Sequence, residues 1–298
     1  MIALGRFDRE RIGLICLRFK ITVTLLAVAA ATASLGMVAL RLSPDAFAAE
    51  DEGIKLPVLM YHAIINDYSR SGEYVITPEA LRRDLEYISE AGYETVVMED
   101  IIDYVKTGSP LPEKPILISF DDGYYNNYLH AYPLLQELGM KAVISVIGIE
   151  ADKYSLSGEV HESYSHCTWE MLREMQQSGT IEILNHSYDM HHIQKGSMGI
   201  GKHSGEKLAA YRSRLFMDLS RMQNRFSAEL GKIPSTFTFP FGCAPADSRP
   251  VLRELGFAAS LGTEEKTFYV TKNEKCLELI PRYNRPSWKS AREILENN

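Results

Sequence analysis

Cysteine is scarce: there are four in 298 residues, at Cys16, Cys167, Cys243 and Cys276. No two stand in C-x-x-C spacing, so the metal and redox signatures built on that pair are absent. The three cysteines beyond residue 48 allow one disulfide, in a pairing that spacing does not define. No 20- to 50-residue repeat and no low-complexity tract occurs, which excludes a solenoid and an extended linker protein. An excess of positive charge is also missing. The chain carries 32 Lys+Arg against 39 Asp+Glu, and six of those cations but only three of the acids fall in residues 1–48. The remainder is therefore more acidic still, and nucleic acid is excluded as the expected partner.

Long apolar runs are absent with one exception. Arg6, Arg9, Arg11, Arg18 and Lys20 precede an uncharged apolar stretch at 21–40. Twenty such residues at 1.5 Å rise span roughly 30 Å of hydrocarbon. The pattern predicts an export signal with its basic flank cytoplasmic and everything after Arg41 outside, at the cell surface or beyond it. Ala46, Phe47 and Ala48 supply an A-x-A cleavage site, whereas the length of the run and Arg41 fit an uncleaved membrane anchor equally well. The expected organisation is a leader or anchor at 1–48 and one catalytic domain at 49–298. With 45% hydrophobic and 24% charged residues, the chain can bury a full core.

In that domain, apolar or β-branched runs at 56–60, 93–97, 116–120, 142–147, 181–184, 236–239, 257–261 and 277–280 predict eight strands. Helices fall between most of them. Thr77 reads as an N-cap before Pro78 and Glu79; Leu81, Leu85 and Ile88 then share a face, and Gly92 closes the helix. Thr168 caps a second helix ending at Gly179, Ser204 or Gly205 opens a longer one to Gly231, and Asp247 begins one ending at Gly256. Strands alternating with helices imply an α/β fold with a parallel sheet, a (β/α) barrel or a distorted relative of one.

Such barrels work where strands hand over to loops. Polar residues collect there: His62 after the first strand, Asp121 and Asp122 after the third, the run from Asn185 through His186 to His191 and His192 after the fifth, Phe241 after the sixth and Arg282 after the eighth. Two adjacent aspartates at a strand end project in different directions, so one can ligate a metal while its neighbour stays free as a base. Alone, Asp-Asp-Gly also makes an ordinary surface turn. His186 and His191, five apart, suit a loop that folds back on itself; with one carboxylate they make a three-ligand site with positions open for water and substrate. His192 competes with His191 for that role, and Asp189 is a candidate for fixing an imidazole tautomer.

These residues resemble a known family. "SFDDG" resembles the first motif of the polysaccharide deacetylases of NodB-homology type (carbohydrate esterase family 4), "NHSYDMH" its histidine motif and "FTFPFG" its third motif. The likeness runs from "PVLMYHAI" to "IPR". The "MYH" start and the five-residue histidine spacing are similar to the branch that includes the poly-N-acetylglucosamine deacetylases. The resemblance implies a distorted barrel and an exported hydrolase that removes N-acetyl groups from an N-acetylglucosamine-containing polysaccharide. Peptidoglycan is the alternative substrate, and a catalytically silent carbohydrate-binding relative the alternative function. It implies Asp121 as general base, Asp122, His186 and His191 as ligands of a divalent metal (zinc first, then nickel, cobalt or iron), and the Phe241 backbone N–H as an oxyanion donor.

Two departures from the family pattern shape further expectations. The late Leu-x-His that usually supplies the general acid is missing, since the last histidine is His203; the resemblance to the poly-N-acetylglucosamine branch assigns that role to His62. Where many relatives carry an arginine two positions before the proline of the third motif, this chain has Thr238. Arg282 is the expected replacement as support for Asp121, with a surface salt bridge as its alternative. Trp169 is expected either to wall the sugar groove by stacking or to pack against its own helix.

Overall fold

The computed structural model of the protein describes residues 53–298. The predicted leader or anchor at 1–48, with its apolar run at 21–40, lies outside the described residues. Among the described residues no helix is long and apolar enough to cross a membrane.

Strands and helices alternate along the chain. They run β1 (Val58–Tyr61), α1 (Pro78–Glu90), β2 (Glu94–Val96), α2 (Met98–Thr107), β3 (Pro115–Phe120), α3 (Tyr132–Glu137), β4 (Ala142–Val146) and α4 (Gly148–Ser157). Then follow α5 (Trp169–Gln177), β5 (Ile181–Asn185), α6 (Leu208–Leu230), β6 (Thr236–Thr238), α7 (Arg249–Glu254), β7 (Ala259–Leu261), β8 (Tyr283–Asn284) and α8 (Ala291–Glu296). The eight strands form one sheet in the order β7-β6-β5-β4-β3-β1-β8, with β2 paired to the start of β3. Every pairing in it is parallel. The result is an α/β fold whose sheet curls into a half-barrel.

Side-chain alternation divides each strand between two faces. Leu59, Tyr61, Ile116, Ile118, Phe120 and Ile144 pack outward with Leu81, Leu85 and Ile88 of α1 and Leu172 of α5. Burying each such side chain stabilises the fold by about 1.5–3 kcal/mol. The other face carries Val58, Leu117, Val143, Leu184 and Leu261. One alternation step further along the same face the residues turn polar: Ser119, Ser145 and Thr238. Ser145 Oγ and Thr238 Oγ1 lie 2.7 Å apart although β5 separates their strands, which shows that this face is concave.

The caps follow the sequence closely where a side chain makes them. Thr77 Oγ1 accepts from Ala80 N at 3.2 Å and Thr168 Oγ1 from Met171 N at 3.3 Å. The long helix departs from expectation: it begins at Leu208 after Lys207, with no side-chain cap, rather than at Ser204 or Gly205. The eighth strand is also displaced. Leu277 and Ile280 are fully buried, as their apolar character demands, but Glu274–Leu277 is a 3-10 turn and Leu279 has φ 57°, which breaks an extended run. Ile280 makes one parallel bridge to Leu261, and the strand proper forms at Tyr283–Asn284 against β1. The segment between them carries Arg282 across the gap between β7 and β1. Cys167, Cys243 and Cys276 are all free, so no disulfide forms among the described residues.

Candidate active site

Because the strands are parallel, their C-terminal ends share one edge of the sheet. His62 follows β1, Asp121 and Asp122 follow β3, His186 follows β5, and Phe241 lies three residues beyond β6. These residues, with His191, line one cleft of about 470 Å³. Three non-glycine residues in its turns adopt left-handed backbone: Asp122 (φ 71°), Ser187 (φ 71°) and Phe241 (φ 56°). Each such conformation costs of order 1–3 kcal/mol, and its concentration here marks a site whose geometry is held against local preference. Gly123 also needs positive φ, and a Cβ there would press on Val146 Cγ2 at 3.2 Å.

Asp122 is turned toward the two imidazoles. Its Oδ1 lies 3.5 Å from His186 Nε2 and 3.2 Å from His191 Nε2. One donor atom from each residue falls within 4.8 Å of the others. His186 Nδ1 lies 2.8 Å from the Thr238 carbonyl oxygen. Donation of Nδ1–H to that carbonyl leaves the Nε2 lone pair directed at Asp122, the tautomer a metal ligand requires. Asp122 Oδ1 is buried without a hydrogen-bond partner. Two imidazole nitrogens and one orphaned carboxylate oxygen, beside an open cleft, fit a divalent cation with positions to spare. Burial pushes the Asp122 carboxyl up, but its interactions with the facing imidazoles, His186 first and then His62 and His191, outweigh it and hold the group well below the usual range.

Asp121 faces the concave side and is held by Arg282. The guanidinium donates from Nη1 to Oδ1 at 2.7 Å and from Nη2 to Oδ2 at 2.8 Å, a bidentate pair. Its remaining contacts are Nε to the Gly262 carbonyl at 2.7 Å and Nη1 to Ser119 Oγ at 3.2 Å. Arg282 is 0% exposed, so it is no surface salt bridge. Burial pushes the Asp121 carboxyl up, and Arg282 outweighs that effect, leaving the group ionised below its ordinary value. Thr238 cannot serve this purpose; its hydroxyl is engaged with Ser145.

His62 stands edge-on to Tyr74, with ring centroids 4.7 Å apart, and its buried Nδ1 has no partner. Burial pushes its pKa down, against the opposing pull of Asp121 and Asp122. The Phe241 ring lies 4.3 Å from that of His191 and remains 44% exposed, forming one lip of the cleft.

The histidine ambiguity resolves geometrically. His191 joins the triad, whereas His192 turns to Gln194 and to Asp189, 3.8 Å away. Asp189 therefore fixes neither ligand. The loop is held instead by Asp218 of α6, which accepts from Tyr188 N at 2.9 Å and from Asp189 N at 2.8 Å. Asp218→Ala is expected to weaken metal binding by about tenfold while Asp189→Ala leaves it unchanged, as read by competition against a chelator. Equal affinities for the two variants would remove Asp218 from this role.

Trp169 is not brought to the cleft. It is buried in α5, donates Nε1–H to Asp152 Oδ1 at 2.7 Å and meets Phe226 edge-on, because its helix turns it into the core. Conversely, Glu73, Tyr74, Tyr124, Thr263, Glu265 and Asn284 line the cleft without having been singled out. Tyr124, Thr263 and Asn284 sit at or just after strand ends, the same signal that exposed the others.

Residues 108–260 match the family model described as polysaccharide deacetylase. The chain is similar to the poly-beta-1,6-N-acetyl-D-glucosamine N-deacetylase of Escherichia coli K12, at 27% identity over 80% of this chain and 38% of the relative. It also resembles the enzyme of the same name from Staphylococcus aureus MRSA252, at 22% identity over 67% of this chain and 65% of that one. It thus spans about two fifths of the Escherichia coli relative's length. Among solved structures, IcaB from Ammonifex degensii superposes with a TM-score of 0.68 at 25% identity, covering 82% of this chain and 97% of that one. The deacetylase domain of BpsB from Bordetella bronchiseptica superposes with a TM-score of 0.63 at 26% identity, covering 79% and 97%.

Proposed function

The chain belongs to the polysaccharide deacetylase family, and from that premise we propose that it is an exported, metal-dependent hydrolase of acetamide groups on a poly-N-acetylglucosamine. The observation that carries the reading is the juxtaposition of a three-donor cation site, Asp122, His186 and His191, with an ionised Asp121 clamped by Arg282. The relatives named for poly-beta-1,6-N-acetyl-D-glucosamine support the choice of polymer.

The proposed division of labour is supported by the grouping of these residues around one cleft. A divalent cation, with zinc the first choice, would be held by Asp122, His186 and His191 and supply Lewis acidity that makes water a usable nucleophile near neutral pH. Asp121 takes the proton from the water that attacks the acetamide carbonyl, and Arg282 keeps both its oxygens in place. The backbone N–H of Phe241 donates to the oxyanion that develops, a contribution of about 3 kcal/mol in comparable sites. His62 delivers a proton to the nitrogen as the C–N bond breaks, which leaves acetate and a free amine. Acid catalysis of this kind supplies roughly 10²–10⁴ in rate.

Acetate release from poly-β-1,6-N-acetylglucosamine, chitooligosaccharide and peptidoglycan, measured in parallel, tests the reading. The first polymer is expected to be turned over fastest. Preference for peptidoglycan would replace the polymer but keep the chemistry; no acetate from any would favour a silent binding relative. If the 21–40 run remains uncleaved, it would hold the catalytic domain at the membrane facing outward.

A further inference from the structure

The two tryptophans of this chain have opposite environments. Trp169 is buried and hydrogen-bonded, whereas Trp288 is 69% exposed. The Trp288 indole makes no hydrogen bond and stacks on no ring among the described residues. It lines a groove of about 630 Å³ together with Tyr68, which is 85% exposed. Arg83, Glu86 and Glu293 add charged hydrogen-bonding groups along the same groove. Two large aromatic faces left in water beside polar side chains suit a ligand that is apolar on one face and hydroxylated at its edges.

The groove and the catalytic cleft are separate cavities built on shared loops. The same two loops line both. In the first, Glu73 and Tyr74 face the cleft while Tyr68 and Ser71 face the groove; in the second, Asn284 faces the cleft while Ser287 and Trp288 face the groove. Ser287 N donates to the Gly72 carbonyl at 2.9 Å and Asn284 Nδ2 to the Glu73 carbonyl at 3.1 Å, which locks the loops side by side.

We infer that Trp288 and Tyr68 form a distal subsite for the glycan chain, taking sugar rings several units from the acetamide at Asp121. This rests on the function proposed above and adds what that function leaves open, a preference for long chains. A pyranose ring presents axial C–H groups on one face, which stack on an aromatic plane, and equatorial hydroxyls at its edge, which the charged side chains receive. An oligomer short enough to be held by the cleft alone touches neither Trp288 nor Tyr68, which lie outside the cleft lining. The subsite therefore contributes to binding only above a threshold length, and because neither Trp288 nor Tyr68 lines the cleft, turnover on short oligomers is left untouched.

The test compares acetate release from a short and a long β-1,6-linked N-acetylglucosamine oligomer by the wild-type chain, the Trp288→Ala/Tyr68→Ala variant and Trp288→Phe. The double variant is expected to lose about tenfold in kcat/KM on the long oligomer, through KM, and nothing on the short one. Trp288→Phe should recover most of the loss. Both residues are exposed, so an unchanged Tm is the expected control. A long-to-short ratio equal to wild type would overturn the subsite while leaving the deacetylase reading intact. A wild-type chain inactive on both oligomers would overturn the function and the subsite together.

Discussion

Arg282→Ala is expected to reduce acetate release by roughly 10²-fold or more while the protein still binds its metal. Arg282 contacts none of the three proposed ligands; it holds both oxygens of Asp121 and reaches back to Gly262 and Ser119. Removing it leaves a carboxylate buried without its counter-charge, which costs about 3–5 kcal/mol of stability and pushes Asp121 toward the protonated form, useless as a base. Stability and turnover would then fall together, so a second variant separates them. Arg282→Lys keeps a cation but not the planar fork. It should regain much of the stability and little of the turnover. A lysine variant as active as wild type would show that charge alone, not bidentate clamping, is what Asp121 needs.

The adjacent aspartates should fail in different ways. Asp121→Asn is expected to keep metal and lose turnover by roughly 10²–10⁴-fold, because the amide cannot accept the proton. Asp122→Asn is expected to lose both, since Oδ1 is the oxygen shared between His186 Nε2 and His191 Nε2. Its metal affinity should drop by more than the roughly 10- to 100-fold that loss of a supporting group costs. The backbone enforces this split: Asp121 continues the alternation of β3 onto the concave face, while the left-handed turn at Asp122 redirects its carboxylate to the histidine loop. Metal retained in full by Asp122→Asn would contradict the assignment.

Much of this was legible from residue order. Parallel strands put their ends on one edge, so His62, Asp121, Asp122, His186, His191 and Phe241 could be collected from the ends of four strands before any contact was known. Arg282 was legible for a different reason. It lies outside residues 108–260, where the family model matches, and is reached as a compensation for Thr238; the structure places it in a buried bidentate pair with Asp121. Other features were hidden because their signal is not local. Asp218 reads as an ordinary helical residue of α6, and only tertiary packing puts its carboxylate under the amides of Tyr188 and Asp189. The buried pair of Asp84 and Arg285, which also receives Ala291 N and so ties α1 to α8, spans 201 residues and leaves no periodic trace. Trp169 shows an ambiguity that only packing resolves: an N1 aromatic after a capping threonine can wall a groove or pack inward, and here the helix buries it against Phe226. The eighth strand was misplaced because burial of Leu277 and Ile280 looks the same in a turn as in a strand.

The central claim is that Asp122, His186 and His191 hold a cation on which deacetylation depends. The most direct measurement strips the purified protein with a chelator, verifies by elemental analysis that it is metal-free, and follows acetate release from poly-β-1,6-N-acetylglucosamine as zinc is titrated back. The account predicts no activity without metal and a rise that saturates when each chain holds one ion, with no such rise in His186→Ala. Full activity from protein shown to be metal-free would contradict it.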